Sequence, residues 1–177
     1  MGIPVGINGF GRIGRVVLRI ILERGDDFDL CGINLRKADL DYMEYMVKYD
    51  SVFHTFQGTV EHDGRDLIVN GRRIRVFSQS DAGQIPWSEC GAQYIVESTG
   101  AFNSQELASL HFQGGAKKVV ITAPAKDEMT PTFVMGVNHW NYSADMDVVS
   151  NASCTTNCLA PLTKVIQDNF GIEQALM

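Results

Sequence analysis

Two short stretches hold residue types whose spacing suits chemistry. The first is Ser150-Asn151-Ala152-Ser153-Cys154-Thr155-Thr156-Asn157-Cys158. It follows the apolar pair Val148-Val149 and precedes a run of helical texture, so the spacing predicts a helix over Ser153 to Asn169, with Pro161 inside it. Cys154 then falls at the helix start. A thiol there sees the positive end of the helix dipole and several unpaired N–H groups, and both favour the thiolate, which is the nucleophile. The same N–H groups suit an oxyanion formed when a thiolate attacks a carbonyl. Cys158 lies one turn further on, at i+4. A disulfide or metal pair with Cys154 is one reading of that spacing. A small buried residue is the one expected.

The second stretch is Gly9-Phe10-Gly11-Arg12-Ile13-Gly14, a G-x-G-x-x-G hexamer. It follows the apolar run Ile3 to Asn8 and opens a helical pattern that ends at Gly25. In that setting the hexamer is a dinucleotide fingerprint. The first glycine permits the turn, the second lets backbone approach a pyrophosphate, and the third lets helix and strand pack closely. Free N–H groups at the helix start face the anion. About 20 residues on, the fingerprint expects an acid on the adenosine ribose. Asn34-Leu35-Arg36-Lys37 stands there instead. Two readings stay open for Arg36 and Lys37, a ribose 2′-phosphate site or a solvated loop.

A thiolate enzyme needs a base, usually histidine. None of His54, His62, His111 and His139 has a motif around it, and each is expected at the surface or in ordinary packing.

These stretches need elements to position them. Ile3 to Asn8, the glycine turn, Arg12 to Glu23 and Phe28 to Asn34 read as strand, turn, helix and strand. That is a βαβ unit, which implies a parallel sheet with a right-handed crossover. Ile13, Val16, Val17, Ile20 and Ile21 give the helix its apolar periodicity. Asp39 to Lys48 reads as helix. Asp63-Gly64 and Asn70-Gly71 mark tight hairpins, so a small antiparallel excursion is expected between Gln57 and Phe77. Tyr94 to Glu97, Lys118 to Thr122, Phe133 to Met135 and Val148-Val149 are strand candidates, and Ser104 to Phe112 a helix capped by Ser104. The fold class is therefore α/β, a Rossmann-type, doubly wound, mostly parallel sheet. Residues 1–150 read as the dinucleotide-binding domain.

Composition narrows the function classes. The net charge of −6 is spread without a basic block, so nucleic-acid binding has no electrostatic support. No run of about 18 apolar residues favours a membrane span, and the first residues lack signal-peptide character. Cys31, Cys90, Cys154 and Cys158 fit neither a zinc ribbon nor a disulfide framework, so no metal is expected. Reduced thiols in a cytoplasmic protein are the simple reading.

Taken together, Asn8 to Arg15 and Ser150 to Leu162 resemble the glyceraldehyde-3-phosphate dehydrogenase family. Glu97-Ser98-Thr99-Gly100, Gly114 to Val119 and Met135 to His139 resemble it too, and the likeness runs from Ile3 to Met177. Erythrose-4-phosphate dehydrogenase shares much of this pattern. The resemblance implies an NAD-dependent oxidoreductase of glycolysis, with NADP as a possible second cofactor. It also implies that residues 151–177 are the truncated start of an α+β catalytic domain. Its substrates would be a phosphorylated aldehyde and inorganic phosphate, and it would work as a homotetramer. Cys154 would be the nucleophile, with Ser153 and Thr155 binding substrate or attacking phosphate. Gly9, Phe10, Gly11, Arg12, Ile13 and Gly14 would hold the cofactor pyrophosphate, and Asn34, Thr99, Gly100 and Thr122 would line its adenosine and nicotinamide sides. Three departures stand out. Position 35, usually Asp, is Leu, and position 80, often Arg, is Ser. The family's catalytic histidine is expected four residues past Met177. On this reading the chain binds nucleotide without turnover and exposes apolar surface.

Overall fold

The computed structural model describes residues 2–177. Strand β1 (Ile3–Asn8) buries its last four residues and runs into the glycine turn. Helix α1 (Arg12–Glu23) follows, then β2 (Phe28–Asn34), paired parallel to β1. Asp39 caps α2 (Leu40–Lys48) by accepting a hydrogen bond from the Tyr42 N–H, which satisfies one free donor of the first turn.

Strands β3 (Val60–His62), β4 (Asp66–Val69) and β5 (Arg72–Phe77) form the expected antiparallel excursion. Its second turn uses Asn70 and Gly71 at φ 51° and 77°, the left-handed pair that a two-residue hairpin requires. β5 returns parallel to β2, so the hairpins extend the main sheet. The short α3 (Trp87–Cys90), β6 (Tyr94–Glu97), α4 (Gln105–Ala108), β7 (Lys118–Ile121) and β8 (Val148–Ser150) complete that body. The 17-residue α5 (Cys154–Phe170) follows, continuous through Pro161. The eight strands lie in the order β3-β4-β5-β2-β1-β6-β7-β8, and β5 to β8 are all parallel to their neighbours on the β1 side. The chain therefore departs from β1 in two directions, and the strand order reverses between β1 and β6.

Two apolar clusters sandwich the sheet. One gathers Leu18, Ile21, Met43 and Val47 from α1 and α2; the other is built around Trp87, Ile95, Ala108 and Val119. Successive β6 residues Ile95 and Val96 join different clusters, as the pleat requires of opposite faces.

Three expectations change. In α1 the buried positions are Gly14, Leu18, Arg19 and Ile21, while Ile13 and Ile20 face outward. Val17 and Ile21 of the expected stripe do pack on the core, but Leu18 and the close approach at Gly14 take the places of Ile13 and Ile20. Phe133–Met135 forms no strand. Thr132 makes a single bridge to Ser150, the Phe133 N–H donates to Ser150 O, and Gly136 at φ 82° turns the chain away. The Ser104–Phe112 helix breaks into α4 and a 3-10 segment, Ser109–Gly114. There Ser109 Oγ donates back to Gln105 O at 2.6 Å, and Gly114 sits so near Ile85 that a Cβ would lie 1.9 Å from its carbonyl oxygen. The tighter winding turns His111 into the interior.

Candidate nucleotide crevice and thiol elbow

The three fingerprint glycines differ in their surroundings, and the differences sort their roles. Gly9 has φ 104°, and a Cβ on it would lie 2.8 Å from the Ser98 backbone at the β6 tip. A Cβ on Gly14 would lie 2.1 Å from Gly9 O. A Cβ on Gly11 would meet nothing within 4 Å. The outer two glycines let strand, turn and helix close on one another, and the middle one leaves open space over the N-terminus of α1. That is the cradle a pyrophosphate needs, at the point where the strand order reverses.

The other sequence-predicted residues gather at the same end of the sheet. Ile13 is exposed on the first turn of α1, whereas Phe10 places its ring in the core and offers only backbone. Arg12 is exposed and ion-paired with Asp50. The Asp50 carboxyl is pulled down to about 2, first by the N–H groups of Phe53 and Val52 and then by Arg12. Thr99 and Gly100 are exposed just past β6, with Gly100 at φ 76°. Thr122 donates from both N and Oγ1 to Glu97 O, each at 3.0 Å, which ties the ends of β6 and β7. Asn34 lies lower. It is 2% exposed, its Nδ2 donates to Asn8 Oδ1 and Gln79 O, and its Oδ1 accepts from the Gln79 N–H. Its side chain belongs to the crevice floor. Leu35 is half-buried against the core, while Arg36 and Lys37 are exposed and make no ion pair among the described residues.

Beneath the crevice runs a buried polar chain that the sequence reading did not assign. Asn8, Glu97 and His111 are each at most 1% exposed. A signal was present: Asn8, Asn34 and Glu97 each end an apolar strand with a polar residue. His111, by contrast, was expected at the surface or in ordinary packing, and nothing in its surrounding sequence marks it.

At the other site the chain leaves β8 through a sharp elbow. Ala152, 5% exposed, adopts φ 57°, a left-handed conformation that costs a non-glycine residue roughly 1–2 kcal/mol. Bracing offsets the strain. The Ala152 N–H donates to Ser150 Oγ at 3.1 Å, and Asn157 Nδ2 donates to Asn151 O at 2.7 Å and Ser153 O at 2.9 Å. Ser153 is the N-cap of α5, accepting from the Thr156 N–H at 2.9 Å, with Thr155 Oγ1 2.8 Å away. Cys154 is therefore the first residue of α5, and it is exposed. No histidine hydrogen-bonds Cys154 among the described residues. Cys158 is also exposed, against the expectation of burial, because α5 buries none of its residues. Cys31 and Cys90 are half-buried. Desolvation, with Asp29 next, pushes the Cys31 thiol up to about 11, and desolvation raises Cys90. Among the described residues no cluster of three or more metal-ligating side chains exists. Among the described residues no helix is long and apolar enough to cross a membrane.

Fold and crevice together define a dinucleotide-binding α/β unit of the Rossmann type. Residues 3–105 match the family model described as "Glyceraldehyde 3-phosphate dehydrogenase, NAD binding domain", and residues 153–177 match that family's "C-terminal domain". A glyceraldehyde-3-phosphate dehydrogenase of Monascus purpureus is 58% identical over 173 residues, covering 98% of this chain and 50% of the relative. That of Neurospora crassa is 54% identical over 177 residues, covering 100% and 52%. A relative from Gracilaria gracilis, named as the cytosolic enzyme, is 54% identical over 178 residues. The chain belongs to the glyceraldehyde-3-phosphate dehydrogenase family and carries its NAD-binding domain. It spans about half the length of these curated relatives.

Proposed function

We propose that the chain supplies the cofactor crevice and the nucleophile of a phosphorylating glyceraldehyde-3-phosphate dehydrogenase. The observation that carries this reading is the open position at Gly11, set between two glycines whose Cβ positions are blocked by backbone. The backbone N–H groups of Gly11, Arg12 and Ile13 hold the pyrophosphate at the N-terminus of α1. Gly9 and Gly14 shape the turn, and Phe10 lends its backbone. Thr99, Gly100 and Thr122 border the crevice beyond β6 and β7, and Asn34 supports the adenosine side from below. NAD, when bound, supplies the hydride acceptor that carries the bound aldehyde to a thioester.

The Cys154 thiolate attacks the aldehyde carbon, and after protonation of the oxygen the product is a hemithioacetal. The thioester carbonyl later takes inorganic phosphate. Its C–S bond breaks, acyl phosphate departs, and the thiolate is restored. Ser153 and Thr155 flank the sulfur with hydroxyls suited to phosphate oxygens. The phosphorylated aldehyde is glyceraldehyde 3-phosphate, as the names of the relatives indicate. Erythrose 4-phosphate is the alternative, since both would meet the same hydroxyls. The assembly is a homotetramer working in the cytoplasm, with residues 1–150 and 151–177 belonging to separate domains.

Turnover needs a base for the thiol, and among the described residues no histidine bonds to Cys154, so the 177-residue chain is expected to bind nucleotide without turning over. Loss of one member of such a pair typically costs several orders of magnitude in rate. Titrating the purified chain with NAD tests the reading. Saturable binding is expected. Its absence up to about 1 mM, which bounds the binding energy near −4 kcal/mol, overturns the nucleotide role. Dehydrogenase turnover free of host enzyme overturns the expectation of inactivity.

A further inference from the structure

The polar chain under the crevice has a direction. The Trp87 indole Nε1–H donates to His111 Nδ1 at 3.0 Å, so that nitrogen accepts and carries no proton. The proton of the neutral ring sits on Nε2, which faces Glu97 Oε2 at 3.0 Å. Asn8 Nδ2 donates to the same oxygen at 2.6 Å, while the Thr99 N–H donates to Oε1 at 2.7 Å and Thr99 Oγ1 donates there too. Four donors thus converge on one buried carboxylate. A carboxylate only accepts, so Asn8 must present its amide nitrogen to it and turn its oxygen toward β2. Asn34 must then present nitrogen to Asn8 Oδ1 at 2.7 Å, and its oxygen receives the Gln79 N–H at 2.9 Å. The carboxylate sets the Asn8 amide, and Asn34, turned the same way by its two bonds to the Gln79 backbone, completes an unbroken row across the ends of β2, β1 and β6.

We propose that Glu97, with His111 held by Trp87 as the neutral Nε2–H tautomer, is the positioning centre of the cofactor crevice. It fixes the Thr99 loop and Asn8 directly, and reaches the Asn34–Gln79 pair through the Asn8 oxygen. The proposal rests on the nucleotide-binding reading for its consequence, though not for its geometry. Its residues touch no cofactor and act through the loops they hold. Trp87 and His111 are both wholly buried, the His111 ring lying 5.9 Å from Trp87 and 6.0 Å from Phe102. Among the described residues, Glu97 is the only charged group bonded to His111.

Amide exchange and NAD titration on the same 177-residue chain test this. In Glu97→Gln either orientation of the new amide sets an N–H₂ against a donor. Exchange at Thr99 or Gln79 should quicken about tenfold or more, and NAD should bind about tenfold weaker, as for one lost hydrogen-bonded contact. Val119 in the opposite cluster should exchange as before. His111→Gln offers the same donor and acceptor pair as the neutral ring and should stay within about threefold of the parent, whereas His111→Leu should behave like Glu97→Gln. Nitrogen shifts of the His111 ring should show a bare Nδ1 and a protonated Nε2. The proposal is overturned if Glu97→Gln leaves Thr99, Gln79 and NAD affinity unchanged, if His111→Gln is as damaging as His111→Leu, or if Nδ1 carries the proton. If the parent chain binds no NAD while the exchange pattern holds, the nucleotide reading fails and the positioning centre stands. Should Glu97→Gln not fold, the His111 pair decides alone.

Discussion

Cys154 and Cys158 lie one turn apart on α5 and both are exposed, but only Cys154 sits where unpaired N–H groups meet the dipole. The other two thiols are held protonated, Cys31 up to about 11 by desolvation and then Asp29. Sub-stoichiometric iodoacetamide should therefore label Cys154 first, Cys158 next, and Cys90 and Cys31 last. Peptide mapping reads the order, and labelling of Cys31 ahead of Cys154 would contradict the assignment. The raised Cys31 value has a stability consequence whose sign is fixed. The folded state prefers the neutral thiol, so its contribution is intact below pH 9 and is lost as pH climbs toward about 11. Cofactor choice is testable at single residues as well. Leu35 turns inward and brings no charge to the β2 tip, while Arg36 and Lys37 make no ion pair among the described residues. With no carboxylate to repel a 2′-phosphate, NADP should bind within about a hundredfold of NAD and weaken with salt. Arg36→Ala should reduce that NADP binding. If NADP is far weaker and insensitive to Arg36→Ala, the two cations are solvated only.

At the scale of elements, the β1–α1 turn separates folding from binding in two residues. Gly14→Ala drives a methyl group into Gly9 O, a 2.1 Å approach that backbone cannot yield to, so stability should fall by about 1–3 kcal/mol in urea melts. Gly11→Ala meets nothing within 4 Å and should cost about 1 kcal/mol or less, yet it fills the cradle and should weaken NAD binding. Equal stability losses in the two variants would remove the distinction. This turn was legible in the sequence because each glycine answers a local backbone demand. So were β1, β2 and α2, where apolar runs or a capping Asp39 fix the element from its own residues. The 3-10 winding at Ser109–Gly114 was not, since it follows from Ile85 pressing on Gly114 from 29 positions away in the chain. The loss of the Phe133–Met135 strand has a similar origin, with Gly136 turning the chain after one bridge. Of the candidate sites, the exposed thiol and the glycine turn could be read locally. The Glu97 chain could not, because its members come from β1, β2, α3, β6 and the 3-10 segment.

The whole molecule divides by burial. The sheet and its two clusters hold the apolar core, while α5 exposes Leu159, Leu162, Val165, Ile166 and Phe170. A helix of a globular protein ordinarily hides one such stripe. The link between the two parts is the Ala152 elbow, buried at 5% exposure and braced by Asn157 and Ser150. A chain ending at Ala152 therefore gives up almost no core contact. Burial of apolar surface contributes about 25 cal/mol per Å², and α5 buries no residue against the sheet, so little of that term is lost. Removing the exposed stripe also removes a surface that favours self-association. Residues 1–152 should keep the far-ultraviolet signature of the sheet, melt cooperatively within a few degrees of the 177-residue chain, and aggregate less on heating. They should also retain NAD affinity, since Gly11, Thr99 and Thr122 all precede the cut. A truncated chain that unfolds, or that loses NAD binding while folded, would show that α5 supports the crevice and that the boundary near residue 150 is misplaced.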